Sequence, residues 1–371
     1  MIPLRLSAEL EGAEGSPFVV KLLRNDASDS RSTCLESLDN HFGVLAAELP
    51  GRLVFDTVRG YLSIHGVSFE DVEGDVLYVD TTRQVAHRWI RSRSRHNTLL
   101  VTERCDQLCV MCSQPPKRHH ADMFDQMKTA AKLAPLGAEI GISGGEPTLY
   151  KDGLFDFISE VSEARPDLGF HVLTNAQHFA EGDLPRLRAS RQQKVCWGVP
   201  IYAPDAETHD YIVGKEGAFG GLLGSLSILM RAGASVELRT VVMRPNAIVL
   251  AELAWFVSTH LGFAHIWAIM QLENIGFARK RWDELFFDHS KDFSPIADAV
   301  DVASLRGSDV ALYNFPLCTV PPGYRRLAGR TISDWKQRYL PKCAACSERF
   351  SCCGFFEWYP GGRGFKEVNP L

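Results

Sequence analysis

Residues 97–112 read NTLLVTERCDQLCVMC, an apolar run followed by Cys105, Cys109 and Cys112 at the spacing C-x3-C-x2-C. The run Asn97–Thr102 is brief and apolar, which predicts a buried strand. The three thiols then fall in the loop leaving that strand. Three thiolates on one short loop can face one centre, and soft thiolates are the ligands of iron–sulfur clusters. A four-iron cubane held by only three of them keeps one iron open to a small molecule. The competing reading is zinc. That ion takes four ligands, commonly in paired C-x2-C units, and His119 or His120 would have to supply the fourth.

Outward from this loop the chain alternates between short apolar runs and longer amphipathic ones. Strands are expected at Asn97–Thr102, Ala138–Ile142, Gly169–Thr174, Lys194–Ile201, Ser235–Met243 and His265–Met270. Helices are expected at Phe124–Leu133, Gly153–Ala164, Phe219–Ala232 and Ile248–His260. This alternation indicates βα units on a parallel sheet. Six units are too few to close an eight-stranded barrel, so an α/β core built as an open, partial (β/α)6 TIM-type barrel is expected over residues 96–275. Residues 1–95 do not join the alternation. They are expected to form a separate N-terminal domain, mainly β or α+β, with strand-like pieces at Phe18–Leu23 and Asp75–Val79. Residues 276–371 are expected to be a small cysteine-rich extension. The stretch His87–His96, with Arg88, Arg91, Arg93 and Arg95, and Arg83 just before it, reads as a junction whose basic side chains are solvated or meet an acidic partner.

A second motif, GISGGEPTL at 141–149, follows the second expected strand. Gly144 and Gly145 allow backbone to approach a ligand closely. Glu146 offers a carboxylate to an ammonium group, and Pro147 fixes the exit of the turn. Other polar residues at strand ends are Thr174, Asn175, Arg239, Gln271 and Glu273, where barrels place their chemistry. Each serves equally as a structural polar group.

Composition bounds the rest. The 371 residues are 45% hydrophobic and 23% charged, ordinary for a folded chain of one central domain with smaller parts. A net charge of -5 gives no bulk attraction to nucleic acid or anionic lipid. No uninterrupted apolar run of about 18 residues appears, and Met1–Glu14 lacks a signal peptide's basic and apolar regions, so a cytoplasmic protein without a membrane span is expected. Ten cysteines are many for a reducing compartment, where disulfides are rare. Besides the first three, five lie at Cys318, Cys343, Cys346, Cys352 and Cys353; Cys34 and Cys196 are isolated and expected to be core residues. Four separated thiolates suffice to enclose a metal centre. Cys352 and Cys353 are adjacent, so the two do not both suit corners of one cluster. A structural zinc site or unliganded thiols are the competing readings.

With C-x3-C-x2-C and the later Gly-Gly-Glu-Pro both in place, the sequence resembles the radical S-adenosylmethionine (SAM) superfamily. The resemblance implies a [4Fe-4S] cluster on Cys105, Cys109 and Cys112 whose open iron binds SAM. It further implies reductive cleavage of SAM to a 5′-deoxyadenosyl radical that abstracts hydrogen from substrate. It puts Met111, Gly144, Gly145, Glu146 and Pro147 at SAM, with Asn175 and Arg239 as further contacts. Met111 stands where the family often has an aromatic residue. The spacing C-x2-C-x5-C-x-G resembles the auxiliary-cluster extensions, of SPASM or twitch type, of peptide-modifying members. This implies a second [4Fe-4S] cluster on Cys318, Cys343, Cys346 and Cys352, with Cys353 spare.

The layout, with Cys112-Ser-Gln-Pro-Pro-Lys, Gln271-Leu-Glu-Asn-Ile-Gly-Phe-Ala and Asn314-Phe-Pro-Leu-Cys318, resembles the His-Xaa-Ser system radical SAM maturase of the C type. That resemblance implies a precursor polypeptide with His-Xaa-Ser repeats, a second radical SAM maturase, and a reductant such as flavodoxin or ferredoxin. Two other functions fit the residues: radical chemistry on a small molecule or nucleotide, and a non-enzymatic zinc or iron–sulfur module.

Overall fold

Alternating burial organises the first strands. In β1 (Arg5–Gly12), Leu6 and Ala8 point inward while their neighbours face solvent. Six more strands follow: β2 (Phe18–Leu23), β3 (Phe42–Leu49), β4 (Arg52–Thr57), β5 (Gly60–His65), β6 (Val76–Asp80) and β7 (Val85–Ile90). They close into a barrel of order β1-β5-β4-β3-β2-β6-β7. Only β2 and β3 pair in parallel. Period-two alternation sends one face of every strand into a core of residues such as Leu22, Phe55, Leu62 and Ile64. The β4–β5 hairpin lies so close to β1 that a Cβ on Gly60, at φ +116°, would stand 2.3 Å from the Glu11 carbonyl. The computed structural model describes residues 2–12, 15–24, 36–189 and 194–371. Cys34 lies outside them.

The second unit is a parallel sheet whose strands run in sequence order: β8 (Asn97–Thr102), β9 (Glu139–Gly144), β10 (Gly169–Leu173), β11 (Val195–Pro200), β12 (Ser235–Val242), β13 (Ile266–Gln271) and β14 (Val310–Tyr313). Helices Phe124–Lys132, Lys151–Ala164, Ala218–Ala232, Leu250–His260 and Ser294–Leu305 lie between successive strands. One face of these strands is fully buried, as at Phe170 and Val172 of β10, while alternate residues are half-buried or exposed; the apolar residues of the first six make them readable from the sequence. The sheet stays open, with β8 and β14 as its edges. Outside it, Phe155 and Phe179 meet Trp197 edge-on, and Phe157 meets Phe170 likewise.

Two expectations change. The sheet has seven strands rather than six, so the βα series runs to Tyr313, past residue 275. The seventh strand, VALY, has four residues and follows Gly307-Ser308-Asp309, too short a run to carry a periodicity. The basic stretch His87–His96 is not a solvated junction throughout. Its first half is β7. Arg88 is buried against Asp75 at 2.5 Å, and Arg91 clasps Asp334 through two bonds of 2.7 and 2.9 Å.

Among the described residues no single helix is long and apolar enough to cross a membrane.

Candidate functional site: a three-cysteine cleft and a four-cysteine pocket

The loop after β8 is held from three sides. Leu108 and Val110 donate their N–H groups to Val213 and Ile212 carbonyls at 3.0 and 2.8 Å. Phe277 N–H donates to the Cys112 carbonyl at 2.9 Å, and a Cβ on Gly276, at φ +58°, would stand 2.2 Å from that oxygen. On the third side Gly145 and Glu146 donate to the Thr102 and Arg104 carbonyls, both at 2.8 Å. Here the paired glycines are required, because a Cβ on Gly145 would lie 2.0 Å from the Arg104 carbonyl. The glycine turn thus locks the ends of β8 and β9 together and, at the same time, forms a wall.

That wall bounds a cleft of about 370 Å³ at the carboxyl end of the sheet. Cys105, Cys109 and Cys112 all line it, as do Met111, Gly144, Gly145, Asn175 and Arg239. Burial, together with neighbouring carboxylates and thiols, pushes the Cys105 thiol up to about 11; burial and the two companion thiols push Cys109 up to about 12. Three half-buried thiols crowded on one loop favour the protonated form in the absence of a cation, and a bound metal reverses this by stabilising the thiolates. The donor set therefore fits a cluster with one open corner towards the cleft.

Asp106, between the first two cysteines, ties this loop to its surroundings. It receives Asn175 Nδ2 at 2.8 Å, lies 3.4 Å from His178 Nε2, and is bonded by Lys215. Burial opposes its charge, but His178, Lys215 and Asn175 together hold its carboxyl well below the usual range.

Glu146 and Pro147 differ from expectation. Neither lines the cleft. Glu146 is fully buried, and its carboxylate accepts from Thr148 N–H at 2.8 Å, the Thr148 and Thr174 hydroxyls at 2.6 Å each, and Asn175 N–H at 2.5 Å. Burial pushes its carboxyl above the ordinary value, and these donors offset part of that effect. Glu146 therefore ties the ends of β9 and β10 together, a role invisible in sequence because the Thr174 and Asn175 donors come from another strand. Pro147 is buried at the start of the short helix that follows. The cleft also contains Tyr202 and Lys336, which no motif marked, and Asn314, which was not expected at the site. Gln271 and Glu273, weak candidates by position, line it too.

The second cysteine set also converges. Cys318, Cys343, Cys346 and Cys352 line one small pocket with Leu317, Tyr339 and Phe355. Cys353 is fully buried on another side, packed with Ile332 and Phe356. Cys352 Sγ accepts N–H bonds from Gly354 and Leu317 at 3.3 and 3.4 Å. A hydrogen bond from Cys353, then these backbone donors, lower its thiol to about 6, whereas burial raises Cys318 to about 12. Four thiols line this one pocket, although among the described residues no three His, Cys, Asp or Glu side chains are placed to hold a metal ion as they stand. We expect Cys352→Ala to remove the second metal centre while Cys353→Ala retains it and costs only packing, about 1–2 kcal/mol. Iron and sulfide counts on the two purified variants check this, and equal iron loss in both contradicts it.

With the geometry in hand, the comparisons with known proteins are specific on one point. Residues 99–247 match the radical SAM superfamily, and the chain carries a radical SAM domain there. A curated relative, the AdoMet-dependent heme synthase of Methanosarcina barkeri, is 31% identical over 118 residues, covering 31% of this chain and 32% of the relative. The match thus spans about a third of that relative. Among solved structures, Streptococcus suis SuiB bound to its precursor peptide SuiA is similar with a TM-score of 0.49 and 15% identity, over 60% of this chain and 49% of that one. A radical SAM methyltransferase from Sphaerobacter thermophilus is similar with a TM-score of 0.45 and 16% identity, over 70% and 72%.

Proposed function

We propose that this chain is a radical SAM maturase that modifies a precursor polypeptide of the His-Xaa-Ser repeat type. The carrying observation is the convergence of Cys105, Cys109 and Cys112 on one cleft beside the Gly144-Gly145 wall, within a radical SAM domain. When bound there, a [4Fe-4S] cluster and SAM supply a carbon-centred radical; the hard chemistry belongs to the cofactors. The protein's part is placement and shielding. Met111 offers a polarizable apolar surface in the cleft. Asn175 and Arg239 offer hydrogen-bond donors to carboxylate or ribose oxygens. Asp106, pinned by Asn175 and Lys215, keeps the cysteine loop at one distance from the sheet. A second cluster on Cys318, Cys343, Cys346 and Cys352 anchors substrate or passes an electron. The substrate assignment rests on those C-terminal cysteines and on the sequence layout, and the reductant is a flavodoxin or ferredoxin.

The test is anaerobic reconstitution followed by dithionite and SAM, then co-expression with a His-Xaa-Ser repeat precursor. The expected results are 5′-deoxyadenosine, about eight irons per chain, and a changed mass of the precursor. A filled cluster without 5′-deoxyadenosine removes the enzyme reading. An unchanged precursor alongside 5′-deoxyadenosine moves the substrate to a small molecule or nucleotide. Zinc in place of iron and sulfide leaves a binding module.

A further inference from the structure

Tyr202 lies two residues past β11, lines the cleft, and is only 8% exposed. Its main chain is fixed on both sides by buried side chains. Tyr202 N–H donates to His209 Nδ1 at 3.3 Å, and Asn246 Nδ2 donates to the Tyr202 carbonyl at 3.1 Å. Its ring packs in one apolar cluster with Met111 and Ile212, against which Cys109 also rests. Backbone and ring are therefore held in place.

The hydroxyl is not. Among the described residues no hydrogen bond reaches it. A buried tyrosine hydroxyl ordinarily has a partner, and one left without is rare in a folded protein. The charged groups that act on this hydroxyl all line the cleft. Burial, then the Cys109 sulfur, push it above the ordinary phenol value; Arg239 opposes them, and Cys112 adds to the rise.

Other donors of the cleft wall are engaged by carboxylates of this chain. Asn175 bonds Asp106, Arg239 bonds Glu237, and Lys336 reaches Glu273. No carboxylate answers Tyr202, and beside it instead are the sulfurs of Cys109 and Cys112. A phenol keeps its proton at neutral pH, so towards an anion it acts as a donor. Free thiols are weak acceptors. As ligands of a cluster the same cysteines are thiolates, joined by inorganic sulfides, and hydrogen bonds to such charged sulfur are strong. An O–H dipole aimed at that sulfur favours the more negative, reduced state of a cluster, because it stabilises the added electron.

We infer that Tyr202 is a hydrogen-bond donor to the sulfur of the cleft's iron–sulfur cluster, on the Cys109 and Cys112 side, and that it raises the reduction potential of that cluster. The inference rests on the radical SAM reading of the cleft. It gives Tyr202 a part in accepting the electron, separate from the holding of SAM.

Tyr202→Phe removes the hydroxyl and keeps the ring. The lost hydroxyl strands no partner among the described residues, so the denaturation midpoint of the cluster-free protein is expected to stay in place. The full-length protein and the variant are both reconstituted anaerobically and titrated potentiometrically, with detection by electron paramagnetic resonance. The signal that changes shape on adding SAM marks the cluster with the open iron and separates it from a second centre. At a fixed potential the variant is expected to hold about tenfold less reduced cluster, a midpoint potential lower by about 59 mV for one electron. SAM affinity, measured on the oxidised proteins by equilibrium dialysis, is expected to be equal in the two.

An unchanged midpoint potential overturns the inference. A fall in SAM affinity alone then assigns the hydroxyl to SAM, and a fall in the denaturation midpoint alone makes it structural. In both cases the radical SAM reading stands, since the unaltered protein still shows a SAM-sensitive cluster. Unaltered protein without such a cluster removes that reading and this inference together.

Discussion

Replacing Cys105, Cys109 or Cys112 with alanine is expected to abolish 5′-deoxyadenosine formation and, on the proposal of two clusters, to remove about half of the iron, roughly four atoms per chain. Among the described residues the three thiols are the only cysteines lining the cleft, and each sits on a loop whose backbone is already bonded on three sides. Among the described residues no neighbouring thiol replaces a lost one, since the other cysteines line a separate pocket, lie in β11 or are buried elsewhere. The fold survives the change. The loop is held by Val213, Ile212, Thr102 and Phe277 through main-chain bonds that do not involve sulfur. The measurements are iron and sulfide content, product by chromatography, and far-ultraviolet circular dichroism. Full activity in any single variant would falsify the assignment of that cysteine.

The second large effect is at Glu146. Glu146→Ala is expected to destabilise the domain by about 3–5 kcal/mol, because several buried neutral donors lose their acceptor at once. Its removal strands the Thr148 and Thr174 hydroxyls and two backbone N–H groups, and each buried donor left without an acceptor costs about 1–3 kcal/mol. Glu146→Gln is expected to lose most of the same stability, because the amide nitrogen brings hydrogens to a place where only donors converge. Chemical denaturation of the cluster-free protein measures this. Asn175 accompanies the loss: its N–H bonds Glu146 and its side chain bonds Asp106, so the cysteine loop loosens with the β10 end. A direct ligand contact predicts the opposite pattern. It leaves the denaturation midpoint in place and weakens SAM binding alone.

The readable part of this protein was the part with local patterns. Strands β8 to β13 bury one face completely and carry enough apolar residues to appear as apolar runs. The cysteine spacing and the glycine pair are contiguous and chemically specific. Neither β14 nor the closure of the first barrel has such a local mark. Closure depends on β1 meeting β7, whose paired residues Arg5 and His87 are 82 positions apart, and a four-residue strand carries too few positions to show a period. The basic stretch misled for a related reason. Arg88 and Arg91 look like surface charges until Asp75 and Asp334 arrive from elsewhere in the chain.

Sequence alone determined the radical SAM motif at Cys105–Cys112, the βα order that puts that loop at a strand's carboxyl end, and the separate C-terminal cysteines, because each depends on residues close together in the chain. Tertiary structure alone decided what surrounds them. It turned Glu146 inward, brought Lys336 and Asn314 to the cleft, separated Cys352 from Cys353, and bound Asp334 to Arg91 and Thr331 to Asn314. Each of these depends on which distant partner satisfies a buried charge or hydrogen bond, and only the folded chain brings such partners within reach.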